Sequence, residues 1–231
     1  MKQILLVVAL VLNSSLLFAQ VIEKNKRILG GTVNGGYNQS QADTLASSKP
    51  STRGSSGYIN LSPSLGKAVK DNVVFGYLVS MGYSHSKSED LRVNETGKSN
   101  GYTFGGGVFV ERYFPLSKSL SFSASMPLQL YYSWYDNKLF QNGTSSGTDN
   151  NKYYGAGIAL YPSLNYLLNK KFILQLTLNN FVSLGYRHST NQVEQPNVPS
   201  RKQESSNFGF NTRVNESTRL SDLSFAFRYI F

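Results

Sequence analysis

The stretch 223–231, Leu-Ser-Phe-Ala-Phe-Arg-Tyr-Ile-Phe, decides the fold class of this chain. A large apolar side chain occupies every second position from Leu223 to Phe231, and mostly small or polar residues stand between them. A period of two belongs to a β-strand, because successive side chains of a strand point to opposite faces. The stretch therefore predicts a strand with one strongly apolar face.

The same alternation recurs upstream and gives eight predicted strands. In the longest, residues 172–187, the apolar residues from Phe172 to Tyr186 share one face, whereas Gln175 and Arg187 lie on the other. The first strand, near residues 29–37, is rich in glycine and only weakly patterned. The other predicted strands cover residues 59–66, 73–84, 102–114, 120–134, 154–168 and the C-terminal stretch.

A soluble β-sandwich also alternates, so alternation alone leaves two fold classes open. Four features favour a closed barrel in lipid: long strands, a second face of Gly, Ser, Ala and Asn with few charges, alternating short and long connections, and aromatic residues at both ends of the apolar band. The sequence thus predicts an all-β fold, a closed antiparallel eight-stranded transmembrane β-barrel with short periplasmic turns and long extracellular loops. The short turns are predicted near residues 68–72, 115–118 and 169–170, and the long loops near residues 41–53, 87–100, 138–151 and 189–206.

The aromatic residues of the predicted outer face form two groups. Aromatic rings prefer the two interfaces of a membrane, so two girdles are expected of a barrel in lipid. The group toward the long loops contains Tyr83, Tyr102, Trp134, Tyr154 and Tyr186, and the group toward the short turns contains Phe75, Phe114, Phe122, Tyr166, Phe172 and Phe231.

The N-terminus has the pattern of a secretory signal peptide. Lys2 supplies a positive start, residues 4–12 an apolar run, and Leu17-Phe18-Ala19 a cleavage site before Gln20. We therefore expect residues 1–19 to be removed and residues 20–231 to form the barrel domain. Leu17 is larger than the residue usually found there, which leaves the position of the cut open.

The composition of the chain limits the kinds of partner that it is expected to bind. The chain of 231 residues has 23 Lys+Arg, 13 Asp+Glu and no cysteine, so disulfides and a cysteine-linked lipid anchor are excluded. After the N-terminus, no run of ~20 apolar residues predicts a membrane helix. An exported basic chain is not expected to meet nucleic acid. The charge predicts anionic lipid or polysaccharide at a membrane surface, with solvated basic loops as the equal alternative.

Three segments carry a resemblance to a known family: Leu17-Phe18-Ala19-Gln20, Phe208-Gly209-Phe210-Asn211 and the stretch 223–231. They resemble the small outer-membrane β-barrel proteins of the OmpA/OmpX type, in the variety common in Bacteroidota. The terminal Phe231 resembles the signal read by the barrel-assembly machinery in that family. The resemblance implies that machinery as a partner, lipopolysaccharide and outer-membrane lipid as surroundings, and the outer membrane of a Gram-negative bacterium as the location.

Catalytic chemistry is sparse, and we predict no catalytic, cofactor-binding or metal-binding residue. The two histidines, His85 and His188, fall on the outer face where strands enter long loops. Lys87 and Thr190 stand where an outer-membrane deacylase would place its serine, so that pattern is not met. We predict a non-enzymatic protein with an envelope-structural or surface-binding role. A narrow passive channel or transport accessory is the first alternative, and a lipid-modifying enzyme the second.

Few charges are predicted to face the lumen, and an unpaired one there would be costly. Glu111 and Arg228 lie at matching depth near the short-turn end, which predicts that they approach each other; separate contact with water is the alternative. The other interior charges are predicted at Asp136, Arg187 and Asp222. Inward aromatic residues that fill the lumen are predicted at Tyr58, Phe109, Tyr113, Tyr131, Tyr135, Tyr153, Tyr161 and Phe181, and cations that contact surface polysaccharide at Lys49, Arg53, Arg92, Lys98, Arg201 and Lys202.

Overall fold

The computed structural model describes residues 22–43, 50–179, 181–195, 198–212 and 223–231. These residues form one antiparallel sheet of ten strands. Within these ranges no helix is long and apolar enough to cross a membrane. The predicted signal peptide precedes the described part of the chain. The strands are β1 (Arg27–Asp43), β2 (Pro50–Lys70), β3 (Val73–Asp90), β4 (Glu95–Pro115), β5 (Leu120–Gln141), β6 (Thr144–Leu167), β7 (Phe172–Leu178), β8 (Val182–Gln195), β9 (Val198–Thr212) and β10 (Leu223–Ile230).

The sheet closes into a ring at its short-turn end. Strands β1 to β6 pair in sequence order, β6 pairs with β7, β7 with β10, and β10 with β1. The last ladder joins residues 28–33 of β1 to residues 225–230 of β10. Arg27 and Phe231 add two backbone hydrogen bonds, of 2.8 and 2.9 Å. The alternating C-terminal stretch is therefore the strand that closes the ring.

The prediction of eight strands is wrong in detail, because two of the eight positions around the ring each hold two strands. The predicted strand 172–187 is β7 and β8, and both pair with β6. Between them the pairing with β6 shifts by two residues, from Ser163 with Thr177 to Leu160 with Val182. Pro162, which has no N–H for a ladder, lies in β6 at this interruption. Similarly, β10 pairs with β7, and β9 pairs with β8.

At the opposite end the sheet runs from β1 through β2 to β6 and β8 to β9. We call the part of these strands beyond the closed ring the extended wall. There, β1 beyond Val33 is paired with β2, and β9 is paired with β8. In the part of the chain that the structure describes, no ladder joins β1 to β9. Ring closure is thus a property of the short-turn end.

The predicted long loops are largely wrong, because most of their residues extend the strands. Strand β5 reaches Gln141 and β6 begins at Thr144, with only Asn142 and Gly143 between them. Both have positive φ, 52° and 80°, as a two-residue type I′ hairpin requires. Likewise, β3 ends at residue 90 and β4 begins at 95, and most of 189–206 belongs to β8 and β9. The described parts of 41–53 belong to β1 and β2.

The two neighbouring hairpin tips are tied to each other. The backbone N–H of Asn142 donates to the backbone carbonyl of Asn94 at 3.0 Å. The side-chain amide of Asn94 donates in turn to the side-chain oxygen of Asn142, also at 3.0 Å. The extended wall therefore ends in a hydrogen-bonded rim on this side.

The two faces of the wall differ as predicted. Large apolar residues cover the outside: Leu130 is 67% exposed and Tyr77 is 64% exposed. The predicted aromatic groups lie on this face, where Trp134 stacks with Tyr102 at 5.1 Å and Phe172 contacts Tyr229 at 5.0 Å. The inside buries polar groups instead, namely Glu111, Ser121, Ser123, Ser133, Ser163, Asn165, Gln175, Thr177, Ser224 and Arg228.

One glycine of the run 105–107 is required by close packing of two strands. A Cβ at Gly107 would collide with the backbone carbonyl oxygen of Leu128, which cannot move without breaking the ladder. We expect Gly107→Ala to lower the free energy of unfolding by ~1–3 kcal/mol, the usual cost of overpacking. A urea titration of the refolded protein, followed by circular dichroism, measures this loss.

The adjacent Gly106 supplies the matched control. Its Cβ would meet only the carbonyl oxygen of Leu78, at 3.5 Å, which is ordinary van der Waals contact. Gly106→Ala should leave the urea midpoint unchanged. Equal midpoints for the two variants would contradict the assigned packing.

Candidate functional site

The lumen is filled at the short-turn end by an apolar layer. Ile28, Val74, Ile173 and Ile230 point inward from four different strands and are buried, and Tyr113 from β4 is 2% exposed. Apolar side chains from around a narrow ring exclude water from its centre. We call this set the apolar floor. Ile22, Ala68 and Phe109 belong to the same buried cluster.

The chain before β1 seals the floor from below. Ile22 is 1% exposed and packs into the same cluster. Its N–H donates to the side-chain oxygen of Asn72 at 3.0 Å, and its carbonyl accepts from the N–H of Asn72 at 2.9 Å. This pair of bonds fixes the segment across the turn between β2 and β3.

A charged pair lies directly above the apolar floor, as the sequence predicted. A guanidinium nitrogen of Arg228, Nη2, lies 2.9 Å from Oε2 of Glu111, and the two side chains are 9% and 1% exposed. The contact satisfies the distance of an ion pair but not the geometry of a hydrogen bond. It joins β4 to β10 across the lumen. The prediction that Glu111 and Arg228 approach each other is confirmed.

Neutral groups satisfy the other polar atoms of this pair. Arg228 donates from Nε to Gln175 at 3.1 Å and from Nη1 to Ser64 at 3.0 Å. The second carboxylate oxygen of Glu111 accepts from Gln175 at 2.7 Å and from Ser123 at 3.0 Å. Each charge is therefore compensated and hydrogen-bonded, which a buried ion pair needs to be tolerated. We call these five residues the polar floor.

A glycine in β1 makes room for the polar floor. A Cβ at Gly30 would stand 2.6 Å from Cδ of Arg228 and 3.3 Å from its Nη1. Gly30 is paired directly with Arg228 in the ladder between β1 and β10. The weak patterning of the first predicted strand thus has a cause, because its small residues face a long side chain from β10.

A cavity of about 240 Å³ lies above the polar floor. Arg228 supplies a charge at its base, but three partners already occupy that guanidinium. The remaining chemistry is that of hydroxyl and amide groups beside aromatic rings, so the cavity suits water and small uncharged polar molecules. Its lining includes Thr32, Asn34, Asn60, Ser62, Ser125, Gln129, Tyr161, Thr177, Asn179 and Ser224.

The other predicted interior charges have different outcomes. Arg187 lies with its guanidinium 3.8 Å from the ring centre of Tyr153, which also contacts Tyr135 at 5.5 Å. The prediction for Asp136 is wrong: it shares the outer face with Trp134, two residues before it, and is exposed. Asp222 belongs to a segment that the structure does not describe.

Both histidines lie on the outer face, as predicted, beside polar partners. His85 Nδ1 is 2.8 Å from the side-chain oxygen of Asn100. His188 stacks on Tyr154 at 4.7 Å, and its Nδ1 is 2.9 Å from Oγ of Ser206. The carboxylate two residues before this serine, Glu204, is bound by Lys202 at 2.7 Å. No described carboxylate hydrogen-bonds to His188, so this pair lacks the group that orients a catalytic imidazole.

Two of the predicted polysaccharide-binding cations, Arg92 and Lys202, form ion pairs in the extended wall. Arg92 holds Asp90 at 2.8 Å, and its hydrogen bonds lower the pKa of Asp90 to about 2. The hydrogen bond from Lys202 likewise lowers the pKa of Glu204. These carboxylates therefore stay ionised at neutral pH. Lys49 lies in the segment 44–49, which is outside the described residues.

Comparisons with known proteins show a likeness of fold alone, and the sequence identity is low. No protein-family model and no curated protein matches the chain. Among solved structures, the outer membrane protein OprG of Pseudomonas aeruginosa has a TM-score of 0.48 and 10% identity, covering 90% of this chain and 97% of that chain. A major outer membrane protein of Thermus thermophilus has a TM-score of 0.48 and 12% identity, covering 89% of this chain and 99% of that chain. Neisserial surface protein A has a TM-score of 0.35 and 13% identity, covering 89% of this chain and 97% of that chain. The Bacteroidota variety of the resemblance stays a prediction.

Neither a metal site nor a complete catalytic set emerges from the described residues, which contain no group of three or more His, Asp or Glu side chains placed to hold a metal ion. The chemistry that the geometry does show is structural. It is a buried ion pair that closes the lumen.

A double-mutant cycle tests the polar floor. We expect Glu111→Gln and Arg228→Gln each to lower the free energy of unfolding by ~3–5 kcal/mol, because each leaves one buried charge without its partner. The double variant should lose clearly less than the sum, since no charge remains. Urea titrations of the three variants in the same detergent measure the coupling. Strict additivity would contradict the pairing.

Proposed function

We propose that this chain is an integral outer-membrane β-barrel protein without enzymatic activity. Its role is to brace the envelope and to hold a stiff polar wall at the cell surface for binding. The observation that carries the proposal is the inverted arrangement of the wall. Large apolar residues such as Leu130 and Phe227 face outward, whereas Glu111 and Arg228 are buried inside.

Lipid is the surrounding that suits this exterior. Soluble monomers rarely expose contiguous apolar patches larger than a few hundred Å². Here every strand of the closed ring presents apolar residues outward, and aromatic rings stand at both ends of the band. Phe122 and Trp134 are ~40 Å apart along β5, which a tilt of about 40° reduces to roughly 30 Å. That height matches the hydrocarbon thickness of a bilayer.

The two ends of the chain support export and assembly. A predicted signal peptide over residues 1–19 would deliver the chain through the inner membrane. Phe231 directly follows β10, the strand that closes the ring, and this is where the resemblance places the signal for the barrel-assembly machinery. Both features favour the outer membrane of a Gram-negative bacterium as the location.

The closed lumen favours a structural or surface-binding role over a channel. The apolar floor and the polar floor together fill the ring beneath the cavity. A solute would have to displace buried side chains to pass. The extended wall instead offers a large ordered surface, since β5 continues past Trp134 to Gln141, roughly 20 Å along the strand.

Substituting a charge into the apolar band tests the membrane location. Leu128 lies on the outer face midway between Phe122 and Trp134 and is 51% exposed. We expect Leu128→Arg to reduce the free energy of folding into lipid vesicles by ~2–4 kcal/mol, the cost of arginine at the midplane of a membrane barrel.

Leu139 in the extended wall provides a control outside the apolar band, because it is exposed to a similar degree, 42%, lies beyond the aromatic girdle and falls on the inner face of β5. Leu139→Arg should fold within ~0.5 kcal/mol of the parent protein. Urea titrations in vesicles compare the two variants. Folding of the parent protein as a soluble globule in detergent-free buffer would overturn the proposal.

Electrical recording in planar bilayers separates the proposed role from a channel. The parent protein should insert without stepwise conductance, because two layers of side chains fill the ring. The double variant Tyr113→Ala/Arg228→Ala removes one large side chain from each layer, so small current steps should appear. Regular steps from the parent protein would favour the channel alternative.

A further inference from the structure

Three lysines form one row across three adjacent strands. Lys87 of β3 is paired directly with Lys98 of β4, and Lys98 is paired directly with Lys138 of β5. Residues directly opposite in an antiparallel pair have Cβ atoms ≈ 4.5–5.5 Å apart, and like charges there are destabilising. A run of three such positions is therefore a local concentration of positive charge. We call it the lysine row.

The lysine row faces outward. Lys87 is four residues beyond Tyr83, Lys98 four residues before Tyr102, and Lys138 four residues beyond Trp134. The ladders keep one register over these stretches, so residues four apart share a face. Tyr83, Tyr102 and Trp134 are themselves in contact on the outside: Tyr102 stacks on Trp134 with ring centres 5.1 Å apart, and Tyr83 lies tilted against Tyr102 at 5.3 Å.

Nearby carboxylates neutralise only part of this charge. Glu89 binds Lys87, and the hydrogen bond between them lowers the pKa of Glu89, which keeps that pair ionised. Asp136 shares the outer face with Lys138 but forms no described ion pair with it. Lys98 instead lies 5.3 Å from the ring centre of Phe140. In the part of the chain that the structure describes, Lys98 and Lys138 have no carboxylate partner.

The height of the lysine row matches that of lipid head groups. These three aromatic residues mark the outer edge of the apolar band, as aromatic girdles do in membrane barrels. Four residues of strand span ~13 Å, which the tilt reduces to roughly 10 Å above this edge. A lysine side chain can bend back along the wall by several ångströms, because its ammonium group moves toward the interface. The three ammonium groups can then converge on a phosphate.

We propose that the lysine row binds the phosphate groups of a phosphorylated lipid of the outer leaflet, whose acyl chains lie against the apolar wall beneath Trp134. The site deepens the proposed function and depends on it, since only a barrel in the membrane presents this row to lipid. His85, Asn100 and Asp136 lie between the lysine row and the aromatic set. His85 and Asn100 contact each other at 2.8 Å, and their remaining nitrogen atoms can hydrogen-bond to the same head group, whereas Asp136 offsets one of the three positive charges. Charge complementarity selects the phosphate, and the apolar wall selects a lipid over a free anion.

The single tryptophan makes the test direct, because Trp134 is the only one in the chain and shares its face with Lys138. The parent protein in detergent is titrated with lipopolysaccharide that carries phosphorylated lipid A, and Trp134 fluorescence reports binding. We expect Lys87→Gln/Lys98→Gln/Lys138→Gln to weaken binding roughly 100-fold, about fivefold for each charge. Binding by the parent protein should weaken as salt rises.

A matched variant controls for net charge. Lys67, Lys70 and Lys171 are exposed at the short-turn end, so Lys67→Gln/Lys70→Gln/Lys171→Gln removes the same charge elsewhere. This variant should bind within twofold of the parent protein. Dephosphorylated lipopolysaccharide should bind the parent protein as weakly as the phosphorylated form binds the lysine-row variant. Inorganic phosphate at the concentration of the lipid should not compete.

Three results would overturn the inference: equal affinity of the lysine-row variant and the parent protein, equal affinity for the dephosphorylated lipid, or equally effective binding of inorganic phosphate. Insertion of every variant into lipid vesicles is measured in parallel. Insertion without phosphate-dependent binding rejects the lipid site alone, whereas failure of the parent protein to insert rejects the proposed function itself.

Discussion

The ladder between β1 and β10 is the interaction on which the rest of the structure depends. A sheet edge leaves a row of N–H and carbonyl groups without partners, and lipid offers none. Six residue pairs and the bonds between Arg27 and Phe231 remove that edge at the short-turn end. The same ladder sets the depth of Arg228, which places its guanidinium beside Glu111 on the far side of the lumen. The pairing of β10 with β1 therefore both closes the ring and positions the buried ion pair in the lumen.

Ring closure also explains why the inside of the barrel is polar but shut. A narrow ring has space for side chains and little else. Apolar residues fill its lowest part, and the charged pair above them is satisfied by Gln175, Ser123 and Ser64. These side chains fill the ring at its short-turn end, while the large apolar residues lie on the outside of the wall.

The sequence predicted those features that alternation can encode. It predicted the closing strand, the two faces, the aromatic groups and the approach of Glu111 and Arg228, because each follows from a period of two. It failed where both faces of a strand meet water, since residues such as those of 87–100 then show no apolar side and resemble loops. The dipeptide Asn142-Gly143 was the overlooked signal of a tight hairpin. The interruption between β7 and β8 depends on pairing with β6, which one sequence does not reveal.

The position of Arg228 in the last strand has a consequence for the order in which the molecule is put together. Strands β1 to β6 hold Glu111 with the hydroxyl group of Ser123, but its cation arrives only with the final nine residues. A half-assembled sheet therefore carries an uncompensated acid along with two open edges, and both defects vanish in the same step. The ladder between β1 and β10 therefore couples closure of the ring to compensation of the buried acid.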